Sequence, residues 1–190
     1  MSHPSTQVLS RNERITEWTR QAAIVVGATL FIALCARITV PLPFTPVPLT
    51  LQNFAVLLAG LMLGSRRGFA ALVLYLAEGA SGIPVFNSAG AGGIVQLFGP
   101  TGGFLLAYPF VAGIAGWCFE RSRKTFTDAA LAALLAEVAL FAGGLSWLAV
   151  LTHSVAQAVR FGLYWFIFAE IIKVMFAAAI AAGRQRTAKV

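Results

Sequence analysis

The sequence predicts an all-α membrane protein that crosses the bilayer six times. Three observations carry this. Hydrophobic residues make up 58% of the 190 residues and charged residues only 11%, with a mean hydropathy of +0.81. Soluble domains carry about 25% charged residues, so lipid must cover much of this surface. Six apolar segments approach the roughly 20 residues that a helix needs to cross the hydrocarbon core. The cationic residues then fall almost entirely on one side of the resulting path.

The first span is read as Ala22 to Val40, closed by Pro41, Pro43, Pro46 and Pro48. The second, Leu49 to Gly64, and the third, Gly68 to Ala80, are short. Arg66 and Arg67 between them argue against one broken helix, because adjacent arginines at bilayer depth are costly. Their place is a tight turn at a membrane face. The fourth span runs from Pro100 to Phe119, the fifth from Ala129 to Leu151 and the sixth from Phe161 to Ala182. Residues 11–20 read as a short surface helix and residues 1–10 as disordered. The expected organisation is a cytoplasmic tail over 1–21, a membrane domain over 22–183 and a second tail over 184–190. Five further apolar segments, and no small-x-small cleavage site, argue against a cleaved signal peptide at the first span.

With six spans, one side holds Arg11, Arg14, Arg20, Arg66, Arg67, Arg121, Arg123, Lys124, Arg184, Arg186 and Lys189. The other holds only Arg37 and Arg160. Lys and Arg collect in cytoplasmic loops, so both termini are expected in the cytoplasm. The same asymmetry accounts for the net charge of +7 without a nucleic-acid partner.

The two outer loops do not resemble linkers. Pro41 to Gln52 holds four prolines, which fix φ and stiffen the chain, with mostly apolar residues between them. Ser81 to Gly99 alternates glycines with Ile83, Val85, Phe86, Ile94, Val95, Leu97 and Phe98. Irregular backbone near a bilayer is tolerated against protein or a water-filled cavity. Both loops read as lids over a pocket opening outward. The alternative is loops that pack on helix ends for stability alone. Gly99-Pro100-Thr101-Gly102-Gly103 opens the fourth span, with Pro100 near the first helical position.

Glu170 and Lys173 are three residues apart and share one face of the sixth span. Charges at that depth are a functional hypothesis by default. Either they bind a ligand, with Glu170 accepting from N–H groups and Lys173 donating to a carbonyl or carboxylate, or they are a self-contained ion pair. Glu137 is placed toward the cytoplasmic end of the fifth span if that helix starts at Ala129, where it either is a functional intramembrane charge or simply reaches for the interface. Glu78 is placed as a solvated end residue of the third. Cys35 and Cys118 are read as packing residues. No nucleophile–base arrangement, carboxylate dyad or HExxH motif stands in the spans, so neither catalysis, a resident cofactor nor a metal is expected. The pattern calls for a small amphipathic ligand.

Pro-Leu-Pro-Phe-Thr-Pro-Val-Pro-Leu-Thr-Leu-Gln (41–52), Leu-Ala-Gly-Leu-Met-Leu-Gly-Ser-Arg-Arg-Gly (58–68), Gly-Ile-Pro-Val-Phe (82–86) and Gly-Pro-Thr-Gly-Gly-Phe (99–104) resemble the BioY family. These are the biotin-specific S components of energy-coupling factor transporters. The resemblance covers residues 22–183. It implies an S-component-like six-helix bundle in the bacterial cytoplasmic (inner) membrane that takes biotin from the outer side. It also implies partnership with a transmembrane coupling subunit and two ATP-using subunits. The family's sixth span carries Pro-Gly-Asp-x-x-Lys, whose Asp and Lys bind the biotin head. Here Lys173 matches, Glu170 stands for the Asp, and Phe168-Ala169 replaces Pro-Gly, which implies an unbroken helix. Asn87 is carried over as a pocket residue. Thr45 and Gln52 of the first loop, and Gly92 and Gly93 of the second, complete the expected site. Ala23 and Gly27, a small-xxx-small pair, are the expected contact with the coupling subunit. The competing readings are an S component for a related small amphipathic ligand, and a membrane assembly subunit that binds no solute.

The charge asymmetry makes a direct prediction. Single cysteines at Ser65 and Ser122, in a background lacking Cys35 and Cys118, should resist an impermeant thiol reagent in intact cells. One at Ser88 should label, and labelling at Ser65 from outside would overturn the topology.

Overall fold

The structure is a computed structural model that describes residues 11–187, with the side chains of 13–184. The expected disorder of residues 1–10 lies outside the described residues. Helix α1 spans Arg11–Arg37, α2 Gln52–Leu63, α3 Ser65–Ala80, α4 Gly93–Phe98, α5 Gly102–Glu120, α6 Phe126–Thr152, α7 Val155–Val159 and α8 Ile167–Thr187. Strands β1, Thr39–Val40, and β2, Leu49–Thr50, pair antiparallel with Thr39 opposite Thr50. Their ladder closes the proline loop at its base.

The residues explain these boundaries. α1 absorbs the expected surface helix: residues 11–20 continue into the span with no break. Thr125 and Asp128 form a reciprocal capping box that starts α6 at Phe126, three residues ahead of the expected start. α8 continues through Thr187, beyond the expected end of the membrane domain.

α1, α5 and α6 are each long and apolar enough to cross a membrane, and α7 through α8 forms a fourth such stretch bent by 46°. The chain is a multi-pass membrane protein. α2 and α3 are shorter, 12 and 16 residues. At 1.5 Å per residue they fall below the roughly 30 Å hydrocarbon thickness. They fold back on each other through Gly64 alone, whose φ of 83° is a left-handed value suited to glycine. α5 lies against this turn. A Cβ at Gly116 would stand 2.4 Å from the Ser65 backbone nitrogen, so the helix meets the turn backbone to backbone.

The sixth expected span departs most from its reading. It is not unbroken. α7 runs into a π-helical turn, Arg160–Tyr164, and the chain bends before α8 begins at Ile167. π-turns shift the register of backbone hydrogen bonds and are a recognised cause of kinks. This sequence therefore breaks its last span without the Pro-Gly pair. Glu170 stands in the first turn of α8, not deep within a continuous helix.

Candidate ligand site of the bundle

Four buried polar side chains from three helices meet beneath the proline loop and the glycine-rich loop. On α8, Lys173 Nζ donates to Glu170 Oε1 at 2.7 Å. On α2, Asn53 Nδ2 donates to Glu170 Oε2 at 2.7 Å and to Glu137 Oε1 of α6 at 2.6 Å. All four are at most 8% exposed. Asn53 Oδ1 and Glu137 Oε2 are buried atoms with no hydrogen-bond partner. Buried polar atoms are nearly always paired, so these two are unused bonding capacity at this place. Glu170 also gains from its position, because the first turn of a helix favours a carboxylate.

A cavity opens above this cluster. Asn53, Glu170 and Lys173 form its polar end. Phe104, Leu105 and Tyr108 of α5, Leu140 and Phe141 of α6, and Phe166 before α8 form its apolar walls. The first loop contributes Val47, Pro48 and Thr50, α2 contributes Gln52, and the second loop contributes Asn87. The free space is about 50 Å³. Drug-sized ligands occupy sites of roughly 300–1,000 Å³, so such a ligand must displace part of the covering loops.

The loops are latched, and the latches are specific. Thr45 Oγ1 donates to the Phe161 carbonyl of the π turn at 2.7 Å, and Phe44 stacks on Trp165 with ring centroids 4.2 Å apart. These tie the proline loop to the bend before α8. In the second loop, Tyr75 of α3 donates to the Val85 carbonyl at 2.8 Å and accepts from Gln52 at 3.0 Å. Arg37 donates to the Pro84 carbonyl. Asn87 accepts from the Ala89 N–H at 3.2 Å, a local turn that holds its side chain at the cavity. Trp147 of α6 donates to the Gly99 carbonyl at 2.9 Å, fixing the far end of the loop.

The expected site residues divide accordingly. Glu170, Lys173, Asn87 and Gln52 line one cavity. Thr45 does not reach it and acts as a latch. Gly92 and Gly93 do not line it either. A Cβ on either would meet nothing within 4 Å, and their φ values of 72° and 60° serve the turn into α4. Glu137 is corrected: it is 6% exposed and bonded to Asn53, not reaching for the interface. Glu78 is corrected too, since it is half-buried and accepts from Thr29 of α1 at 3.1 Å. Asn53, Tyr75 and Tyr108 were not anticipated. The signals were present in the Gln52-Asn53 pair opening an apolar helix and in Glu137 eleven residues into α6. Among the described residues no group of three or more His, Cys, Asp or Glu side chains is placed to hold a metal.

Ala23 and Gly27 lie exposed on α1, and a Cβ at Gly27 would meet nothing within 4 Å. They do not pack within the bundle. Cys35 is buried and Cys118 partly buried, both as free thiols in apolar surroundings.

Comparison with known proteins agrees with this architecture. The model of the BioY family matches residues 5–189. The probable biotin transporter BioY of Pyrococcus horikoshii is 39% identical over 155 residues, covering 80% of this chain and 90% of that protein. The biotin transporter BioY of Thermotoga maritima is 34% identical, covering 84% and 88%. The crystal structure of the S component for biotin from an ECF-type ABC transporter superposes with a TM-score of 0.79 at 24% identity, over 94% of this chain and 95% of that one. The chain has the S-component fold, and it belongs to the BioY family.

Proposed function

We propose that this chain captures biotin from the outer side of a bacterial cytoplasmic membrane and delivers it inward, working with a coupling subunit and two ATPase subunits. It is a transporter component and not an enzyme. ATP is used by the partners, and the chain itself needs no cofactor. The observation that carries the reading is the buried Asn53–Glu170–Lys173 end of an otherwise apolar cavity. Biotin's ureido ring offers two N–H donors and a carbonyl. Glu170 and the unused Asn53 Oδ1 accept from the N–H groups, and Lys173 donates to the carbonyl. The thiophane ring and alkyl chain lie against Phe104, Tyr108 and Phe166. Asn87, from the second loop, meets the ligand from above. Entry requires release of the Phe44–Trp165 and Thr45–Phe161 latches, which orders loop opening before binding.

A second reading rests on a specific observation. Lys173 and Glu170 already satisfy each other at 2.7 Å, as a structural ion pair would in an assembly subunit that binds no solute. The two readings differ in what a single truncation does. Under the ligand reading, Lys173→Ala weakens biotin binding by more than about tenfold in detergent, since a charge-assisted hydrogen bond contributes roughly 1.5–3 kcal/mol. The protein still inserts, and because Glu170 keeps its bond from Asn53 and its place in the first turn of α8, the melting temperature falls only slightly. Under the structural reading the same change leaves a buried charge and costs about 3–5 kcal/mol of stability. A well-folded Lys173→Ala protein that binds biotin like the wild type removes these residues from the site.

The coupling subunit docks on the exposed Ala23–Gly27 face of α1, where the absence of side chains permits close helix approach. Gly27→Leu should therefore leave biotin binding intact and lower copurification with the coupling subunit. Unchanged copurification would place the contact elsewhere.

A further inference from the structure

On the side of α5 away from the central cavity, Phe110, Gly113, Ile114 and Trp117 recur at three- and four-residue spacing and form one stripe. Two apolar grooves flank it. One, about 520 Å³, lies between α3 and α5 over Phe69, Gly113 and Trp117. The other, about 610 Å³, lies between α5 and α6 over Ala142, Gly143 and Trp147. Phe110 and Ile114 border both, so a single ridge separates the two. Gly113 keeps the first groove open, because a Cβ there would already touch the Phe69 ring at 3.5 Å.

The first groove leads into a polar pocket of about 640 Å³ bordered by Arg66, Arg67 and Arg121 and by one carboxylate, Glu120, and the two share Ser65, Arg66 and Trp117. Arg66 and Arg67 are exposed and make no hydrogen bond or salt bridge among the described residues, although Arg67 lies close enough to Glu17 for its charge to act on that carboxylate. The Arg121 guanidinium lies 4.3 Å from the centre of the Trp117 ring. Nearby carboxylates are already engaged. Glu120 accepts from the Ser65 N–H and hydroxyl at 3.1 and 2.8 Å, and Glu17 pairs with Arg20 at 2.9 Å. None of the residues bordering these spaces borders the central cavity.

We propose that this face is a binding site for an anionic phospholipid. Its phosphate sits among Arg66, Arg67 and Arg121, and its two acyl chains occupy the grooves on either side of the Phe110–Ile114 ridge. Charge complementarity selects the occupant. Planar guanidinium groups match phosphate oxygens in pairs, and basic pockets between helices at a membrane face hold acidic headgroups. A zwitterionic lipid with the same chains would set its own cation against three arginines. The paired grooves call for a diacyl lipid, not a soluble phosphate.

The full chain, stripped of lipid in detergent, is tested by native mass spectrometry and by thermal melting with phosphatidylglycerol or phosphatidylcholine of identical chains. The expected result is one retained phosphatidylglycerol per chain and a rise in melting temperature that phosphatidylcholine does not give. The double variant Arg66→Gln, Arg67→Gln should melt like the wild type without lipid and bind phosphatidylglycerol about thirtyfold more weakly, each arginine contributing about fivefold. Gly113→Leu, which fills the groove and leaves the arginines in place, should also weaken binding. Equal retention of the two lipids, or unchanged phosphatidylglycerol binding by both variants, would overturn the proposal. So would an equal shift with soluble glycerol phosphate, or a dimer that persists without lipid.

Discussion

The bundle is organised around one asparagine amide held between two buried carboxylates. Asn53 Nδ2 lies within 2.7 Å of oxygens from Glu137 and Glu170, which come from α6 and α8. The carboxylates hold the same sign of charge when ionised, and only one ammonium, Lys173, is bonded to either. The amide nitrogen therefore separates two groups that would otherwise repel, and its own orientation is imposed by them. Turning the amide over would set its oxygen against both carboxylates. α2, α6 and α8 are thus fixed relative to one another by a polar contact, in a medium where a lost partner costs several kcal/mol. Such a network is tolerable only if its remaining atoms are used. Asn53 Oδ1 and Glu137 Oε2 are the atoms left over, which is why the cluster reads as a binding surface as well as a brace.

The bend before α8 is what makes this arrangement reachable. In a continuous helix from Val155, Glu170 would sit well past the first turn, with no dipole to favour its charge. The π turn and the 46° bend restart the helix at Ile167 and place Glu170 at its beginning. The same bend exposes the Phe161 carbonyl and the Trp165 ring to which the proline loop is latched. Gly162 lies in the π turn against α6, where a Cβ would approach Leu148 and Leu145 at 2.7 and 2.8 Å. One irregular turn therefore sets the carboxylate, the loop anchor and the α6 contact together.

Much of this was legible in the residues. Apolar length and the arginine positions mark the helices, and prolines and glycines mark the two structured loops. Glu170 and Lys173 stand out because a charge in an apolar span demands a reason. Glu137 demands the same, but its depth is hidden, because the capping box of Thr125 and Asp128 starts α6 earlier than its apolar run. The break in the last span had no proline or glycine pair to announce it, since Gly162 alone is an ordinary helix residue in a membrane. Thr45 as a latch, and Gly92 and Gly93 as turn residues, depend on which loop faces which helix. That is a tertiary fact, invisible in loop composition.

The central claim is that the charges of the Glu170–Lys173 pair serve a ligand, beyond the part Glu170 plays in bracing the helices. It is tested most directly by removing both charges at once with side chains of similar volume, Glu170→Gln with Lys173→Met. Replacing a whole buried ion pair by neutral groups is often neutral or stabilising, so this change reads binding without leaving either charge buried alone. Biotin affinity and melting temperature are measured on the same purified sample. The account predicts a protein that melts at or above the wild-type temperature and has lost biotin binding by at least about a hundredfold, the effect of two charge-assisted bonds. A double variant that binds biotin within threefold of the wild type would contradict it.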